Sequence, residues 1–289
     1  MKKFIIVTDS GCDMPKEYFE EHGVVCAKLG FMLNGVNYGQ DSEQTMDEKE
    51  FYTALRGGAM PTTYQVTGEQ AKEILEDILK QGQDVFALTF SSALSGTSGS
   101  FLVAKRQLEK QYPNQKIVVV DSLCASMGQG LLLDYVVKKA ETGAEIEEVQ
   151  AFAENLKGQI CHHFTVDNLF HLKRGGRVSA TTAIVGSILK IKPILHVNEE
   201  GKLVSIDKAM GRKKALKMLV DRMISLADMQ KDDPIFISHG DCENELDYLI
   251  SMIKNYFPEN EIKVHYIGAA IGAHSGENTV ALFHKGKNR

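Results

Sequence analysis

Residues 85–100, VFALTFSSALSGTSGS, run from an apolar, strand-like segment into a dense block of hydroxyls and glycines. Ser91, Ser92, Ser95, Thr97 and Ser98 fall within eight residues, ahead of a helix that the pattern predicts over 98–111. A helix start offers unpaired N–H groups and about half a positive charge. Small polar residues there let an anion come close. The chemistry this supports is a bound carboxylate or phosphate, or an activated serine. An N-capped surface turn is the plainer alternative.

Four other segments carry candidate chemistry. Thr62 and Thr63, in PTTYQ at 61–65, precede a helix predicted over 68–81; they are caps, or they face the same site as the serine block. Lys173-Arg174-Gly175-Gly176-Arg177 sets three cations around two glycines. That is an anion-binding nest with an arginine fork, or a helix C-cap with basic residues. Arg212, in MGRKK at 210–214, starts a helix, where cations oppose the dipole. This points to an acidic partner or to a solvated charged face. His274 lies in IGAAIGAHSG at 267–276, read as a glycine-rich loop where a histidine donates to an anion, acts as a base, or is structural.

Negative evidence narrows the chemistry. His162, His163, His239 and Asp241 show no metal-ligand spacing, and the five cysteines are scattered with no CxxC. Neither a disulfide framework nor a metal site is expected. There is no GxxxxGK[ST], GxGxxG, HExxH or GxSxG, so nothing signals nucleotide binding or a familiar hydrolase. A net charge of −5 argues against broad nucleic-acid binding. No stretch approaches the roughly 20 apolar residues of a membrane span. The expectation is a cytoplasmic protein with reduced thiols.

Positioning these residues needs a scaffold. The chain has 289 residues, 43% of them hydrophobic, enough for a substantial core. Strands predicted at 3–8, 85–90 and 117–120 alternate with helices at 15–22 (with Asp13 a candidate cap), 47–55, 68–81, 98–111 and 125–142. Strand, polar turn, helix, repeated, predicts a parallel sheet with helices on both faces. Ligands bind beyond the C-terminal ends of such strands. Three strands here end in hydroxyl-bearing turns, at Asp9-Ser10, Ser91–Thr97 and Asp121-Ser122, the first and last with an acid, which marks one working edge. A boundary near 145–163 divides the chain into α/β domains at 1–160 and 161–289. The second is predicted to hold helices at 166–172, 180–188, 213–227 and 243–256, a hairpin at 192–207, and further strands at 234–238, 262–267 and 279–283.

In this order, the segments resemble the DegV family of bacterial fatty-acid-binding proteins. The matching pieces are VTDSGCDMP at 7–15, PTTxQ at 61–65, SSALSGTSGS at 91–100, VVDS at 119–122, FxVxxLxxLxxGGRVS at 164–179, LKIKPIL at 189–195, GRKKA at 211–215 and IGAAIGAHSG at 267–276. The resemblance implies two α/β domains around a buried acyl chain. It implies that Thr63 and Ser95 hold the fatty-acid carboxylate with His274 beside them, and Thr62 and Ser92 nearby. It further implies a carrier without catalysis or cofactor of its own, which presents the carboxylate to a separate ATP-dependent fatty acid kinase subunit for phospholipid synthesis. Arg177 and Arg212 are then candidates for guiding phosphate or docking that partner. Two segments depart from the family pattern. Tyr64-Gln65-Val66-Thr67 replaces Ser-Gln-Pro-Ser, and Ser275-Gly276-Glu277-Asn278 replaces Thr-Gly-Pro-Gly, which sets an acid near the expected head group. The competing readings are a serine hydrolase using Ser92 or Ser95 with His274, and a lipid sensor or store without a kinase partner.

Overall fold

The computed structural model of the chain describes residues 2–39, 41–167, 169–178 and 190–289. Its first half contains β1 (Phe4–Asp9), α1 (Lys16–His22), β2 (Val24–Ala27), β3 (Gly30–Leu33), β4 (Val36–Tyr38), α2 (Glu48–Arg56), β5 (Thr62–Tyr64), α3 (Gly68–Leu79), β6 (Asp84–Thr89), α4 (Thr97–Leu108), β7 (Ile117–Asp121), α5 (Met127–Glu141) and α6 (Ile146–Leu156). There follow β8 (Ile160–Thr165), α7 (Phe170–Arg174), β9 (Ile191–Val197), β10 (Leu203–Met210), α8 (Arg212–Leu226), β11 (Ile235–His239), α9 (Leu246–Lys254), β12 (Ile262–Tyr266), α10 (Ala269–Ser275) and β13 (Val280–Lys285).

The expected parallel sheet is present, in the order β2-β1-β6-β7. Val7, Val85, Ala87 and Ile117 face α3 and α4 on one side. Ile6, Phe86, Leu88 and Val120 face α5 and α6 on the other. A mixed sheet follows, in the order β10-β9-β8-β13-β11-β12, and a small antiparallel sheet joins β4, β3 and β5. Helix α5 also packs on β8, β11 and β13. Its apolar side chains therefore belong to one cluster that includes Phe164, Phe236 and Phe283 of the mixed sheet. The opposite face of that sheet is covered by α8 and α9 through Leu216, Leu219, Leu249 and Ile253.

Several local expectations change. Thr62 and Thr63 form strand β5, because Phe31 and Met32 of β3 pair with them; Thr67 caps α3, in a reciprocal capping box with Gln70. Gly96 is the N-cap of α4 and brings no side chain, while Ser95 Oγ accepts from the Thr97 N–H (3.3 Å) at the helix start. Asp13 does not cap α1, whose N-cap is Pro15. Asp13 is instead buried, with φ +50°. Residues 160–165, ICHHFT, form the fully buried strand β8 inside the expected boundary region. The helix expected at 166–172 is shorter and later, at α7, and the 267–276 segment is mostly helix α10. The helix expected at 180–188 lies outside the described residues.

Candidate functional site

A cavity of about 200 Å³ opens at the C-terminal ends of the parallel strands. Leu29 follows β2, Phe90, Leu94 and Ser95 follow β6, and Ala125 and Ser126 follow β7. This is the edge the strand-end turns mark. Those turns are braced by their own acids. Asp9 accepts from the backbone N–H of Gly11 (3.0 Å) and Phe90 (2.7 Å). Asp121 accepts from Ser92 (3.2 Å) and Leu123 (3.0 Å). The far wall comes from the mixed sheet, α7 and α10, with Phe164, Leu172, Ile271, Ala281 and Phe283 supplying apolar surface.

Two of the polar lining groups are already satisfied internally. His162 carries its proton on Nδ1, which donates to the Ile160 carbonyl (2.8 Å), while Nε2 accepts from Ala125 N–H (3.2 Å). Burial holds this ring well below the usual histidine range, so it is neutral. Ser126, at φ +54°, donates to Asp13 Oδ2 (2.5 Å) and shares a hydrogen bond with Ser238 (2.9 Å). Asp13 also accepts from Gly268 N–H (3.0 Å), which ties the β7 turn to the start of α10.

The polar groups with spare capacity lie together. Thr63 Oγ1 on β5 is 2.7 Å from His274 Nε2 on α10. Helix α10 is held there by Tyr52 of α2, whose hydroxyl donates to the Ile267 carbonyl (2.8 Å), and by Gly272, which lets the helix lie on the Tyr52 and Phe51 rings. His274 Nδ1 is buried and has no partner. Gly175 lies against it so closely that a Cβ there would fall 2.0 Å from Nδ1. Arg177 reaches across to the serine block, with Nε donating to the Leu94 carbonyl (3.2 Å) and Nη1 to the Gly175 carbonyl. Ser95 completes the group and shares a hydrogen bond with Thr97 (3.0 Å).

Burial, then the charges of Arg177, Arg174 and His171, brings His274 down to about 4, so it is neutral at pH 7. Neither Arg174 nor Arg177 has a carboxylate partner among the described residues. The mouth thus combines a half-buried, uncompensated guanidinium, two hydroxyls and a neutral imidazole. That set can take up one carboxylate through charge-assisted hydrogen bonds.

The remaining residues singled out from sequence lie elsewhere. Thr62 and Ser92 are exposed and do not line the cavity. Arg212 does not line it either; its Nε donates to Glu245 (2.6 Å) and its Nη2 to the Asn278 carbonyl. Glu277 lies 3.6 Å from His171 Nε2 and does not line the cavity, so the acid that departs from the expected pattern stays out of the Thr63–Ser95–His274–Arg177 cluster. Tyr64 does line the cavity, covering Gly30, where a Cβ would meet the tyrosine ring at 1.9 Å. Sequence reasoning missed Asp13, Ser126 and His162 as parts of the site. The GG pair at 175–176 was a usable signal, but the role of Gly175 is to make room for an imidazole.

Fold and site together define an α/β protein with an apolar cavity and a cationic, hydroxyl-lined mouth. The family model described as "Uncharacterised protein, DegV family" matches residues 3–286, and the chain belongs to the DegV family. A DegV domain-containing protein of Clostridium perfringens is 41% identical over 100% of this chain and 99% of its own length. Among solved structures, a DegV family protein of Thermus thermophilus described for its fatty acid binding has a TM-score of 0.86 at 28% identity, covering 98% of this chain and 99% of that one. DegV of Bacillus subtilis, a fatty acid binding protein, has a TM-score of 0.83 at 29% identity, covering 99% and 100%. No helix among the described residues is long and apolar enough to cross a membrane.

Proposed function

We propose that this protein binds a long-chain fatty acid, with the acyl chain in the cavity and the carboxylate at Thr63, Ser95, His274 and Arg177. The observation that carries the reading is the division of polar capacity. His162 and Ser126 have their hydrogen bonds filled by the protein, whereas Thr63 and His274 are paired only with each other and Ser95 and Arg177 line the same mouth, with no carboxylate bonded to any of the four among the described residues. Each buried methylene is worth about 0.8 kcal/mol. The carboxylate then needs charged hydrogen bonds to offset its desolvation. Solved relatives described as fatty acid binding support the same occupant.

The protein acts as a carrier in this reading. Residues 1–160 and 161–289 are its two α/β halves, and an ATP-dependent kinase subunit in the cytoplasm phosphorylates the carboxylate presented at the mouth. Arg177 guides the incoming phosphate. The hydrolase alternative fares worse on geometry. His274 Nε2 is engaged by Thr63 rather than a serine, and no carboxylate orients Nδ1.

Mass spectrometry of lipid extracted from the purified protein should return a fatty acid. Thr63→Ala and Ser95→Ala should each weaken its retention by about 1–3 kcal/mol, the worth of a charged hydrogen bond. Wild-type affinity in both variants would remove the head-group assignment. A separate assay of acyl-phosphate formation with a kinase subunit and ATP tests the carrier role.

A further inference from the structure

Cys161, His163 and His284 bring one sulfur and two ring nitrogens within 4.8 Å of one another. Cys161 and His163 are two residues apart on β8, so they share a face. His284 on β13 is the Cα partner of Cys161 across the sheet. This is the face covered by α8, away from the fatty-acid cavity, and none of the three residues lines that cavity.

The nitrogens are unusually bare for a buried site. His163 has no hydrogen bond at either ring nitrogen, and His284 has none at Nε2. His163 is 1% exposed and His284 0%. The two rings lie 5.4 Å apart, tilted by 36°. His284 Nδ1 sits 3.0 Å from the Lys285 carbonyl. A carbonyl can only accept, so Nδ1 carries the proton and Nε2 holds a lone pair. A backbone carbonyl that fixes the tautomer in this way is the usual support behind a metal-ligating histidine. Burial keeps both imidazoles neutral, which is the ligating form.

We propose that Cys161, His163 and His284 form a buried three-ligand site for a soft, thiophilic d10 cation, copper(I) or zinc(II). One sulfur and two imidazoles are a donor set such ions prefer. On binding, the Cys161 S–H gives up its proton to solvent and the thiolate ligates the ion; the metal undergoes no redox change. Arg289, and then Arg222 of α8, act electrostatically on Cys161, and Arg222 also acts on His163. A monovalent ion with a thiolate leaves the site neutral beside these cations, and a divalent ion leaves a residual positive charge. The charge count therefore favours copper(I). The sequence spacing gave no hint of the site, because its ligands come from two strands at opposite ends of the mixed-sheet half of the chain.

The test is metal titration of the full-length protein under anaerobic, reducing conditions. Copper(I) is delivered from a chromogenic chelator in one arm, and zinc(II) competes with a fluorescent chelator in the other. The expected result is one ion per chain in at least one arm. Cys161→Ser and His284→Gln should each weaken binding more than tenfold and leave fatty-acid retention unchanged. No stoichiometric binding in either arm overturns the proposal, as does undiminished binding in both variants. Should a variant fail to fold, X-ray absorption on metal-loaded wild type decides the matter. One sulfur and two nitrogen neighbours support the site, and a shell without sulfur ends it.

Discussion

A Gly175→Ala protein is expected to lose fatty-acid retention by about 100-fold while keeping its fold. Gly175 has ordinary right-handed backbone angles, φ −74° and ψ −9°, so alanine brings no conformational strain. The effect is steric and local. The new Cβ would fall 2.0 Å from His274 Nδ1 and 2.8 Å from Cε1. These atoms belong to a ring anchored on a helix, so the imidazole must swing away and surrender its 2.7 Å contact with Thr63. On the proposed function, the carboxylate then loses its hydrogen bonds to Thr63 and His274. At about 1.5–3 kcal/mol for each bond to a charged group, even the lower figure gives a loss near 100-fold. The controls are His274→Ala and the double variant. In the double variant Gly175→Ala should add nothing, because there is no ring left to displace. The measurement is displacement of a fluorescent fatty acid analogue. Wild-type affinity in Gly175→Ala would show that His274 does not need its observed position.

The second large effect is a change in the pH dependence of stability on Asp13→Asn. Burial pushes the Asp13 carboxyl up to about 7, against the partial relief of its hydrogen bonds from Ser126 and Gly268 and with smaller upward pushes from Glu48 and Asp9. Its ordinary value is 3.8. Below pH 3.8 the group is protonated in both states. Between about 4 and 7 the unfolded chain ionises while the folded chain keeps its proton, so rising pH favours unfolding. Above 7 both states are ionised and a constant penalty remains. The asparagine variant has no such proton to lose. Its stability relative to wild type should therefore rise by about 3 kcal/mol between pH 5 and pH 8. The comparison must be made as this difference. His162, His163, His274 and His284 are all depressed by burial and act in the opposite sense as pH falls, equally in both proteins. Urea unfolding at the two pH values reads it directly. A constant difference would mean that Asp13 is ionised throughout.

The architecture was readable from the chain because strand β6 is an unbroken apolar run closed by polar residues, and helices α3 and α6 keep one apolar face with clear stops. What failed were segments whose partners are remote. Strand β8 reads ICHHFT, and two histidines broke the apolar run that marks a buried strand. Thr62–Tyr64 is three residues long, and only β3 makes it a strand. Helix α10 reads as a loop in the sequence because four of its seven residues are alanine or glycine, which give little periodic signal. The Thr63–His274 contact spans 211 residues, and no local pattern announces it; only the resemblance to a family had put those two side chains together. The bond from Gly268 to Asp13 spans 255 residues and was not foreseen at all.

Strand β13 sits between β8 and β11 and is made after both. During synthesis, therefore, β8 and β11 emerge from the ribosome with bare inner edges, and such edges invite pairing with other chains. Ala281 and Phe283, which wall the cavity, arrive only with that strand. Until then the cavity lacks that wall, so on the proposed function a fatty acid can enter only after translation has passed residue 285, and a premature stop before residue 280 would leave both strand edges open to other chains.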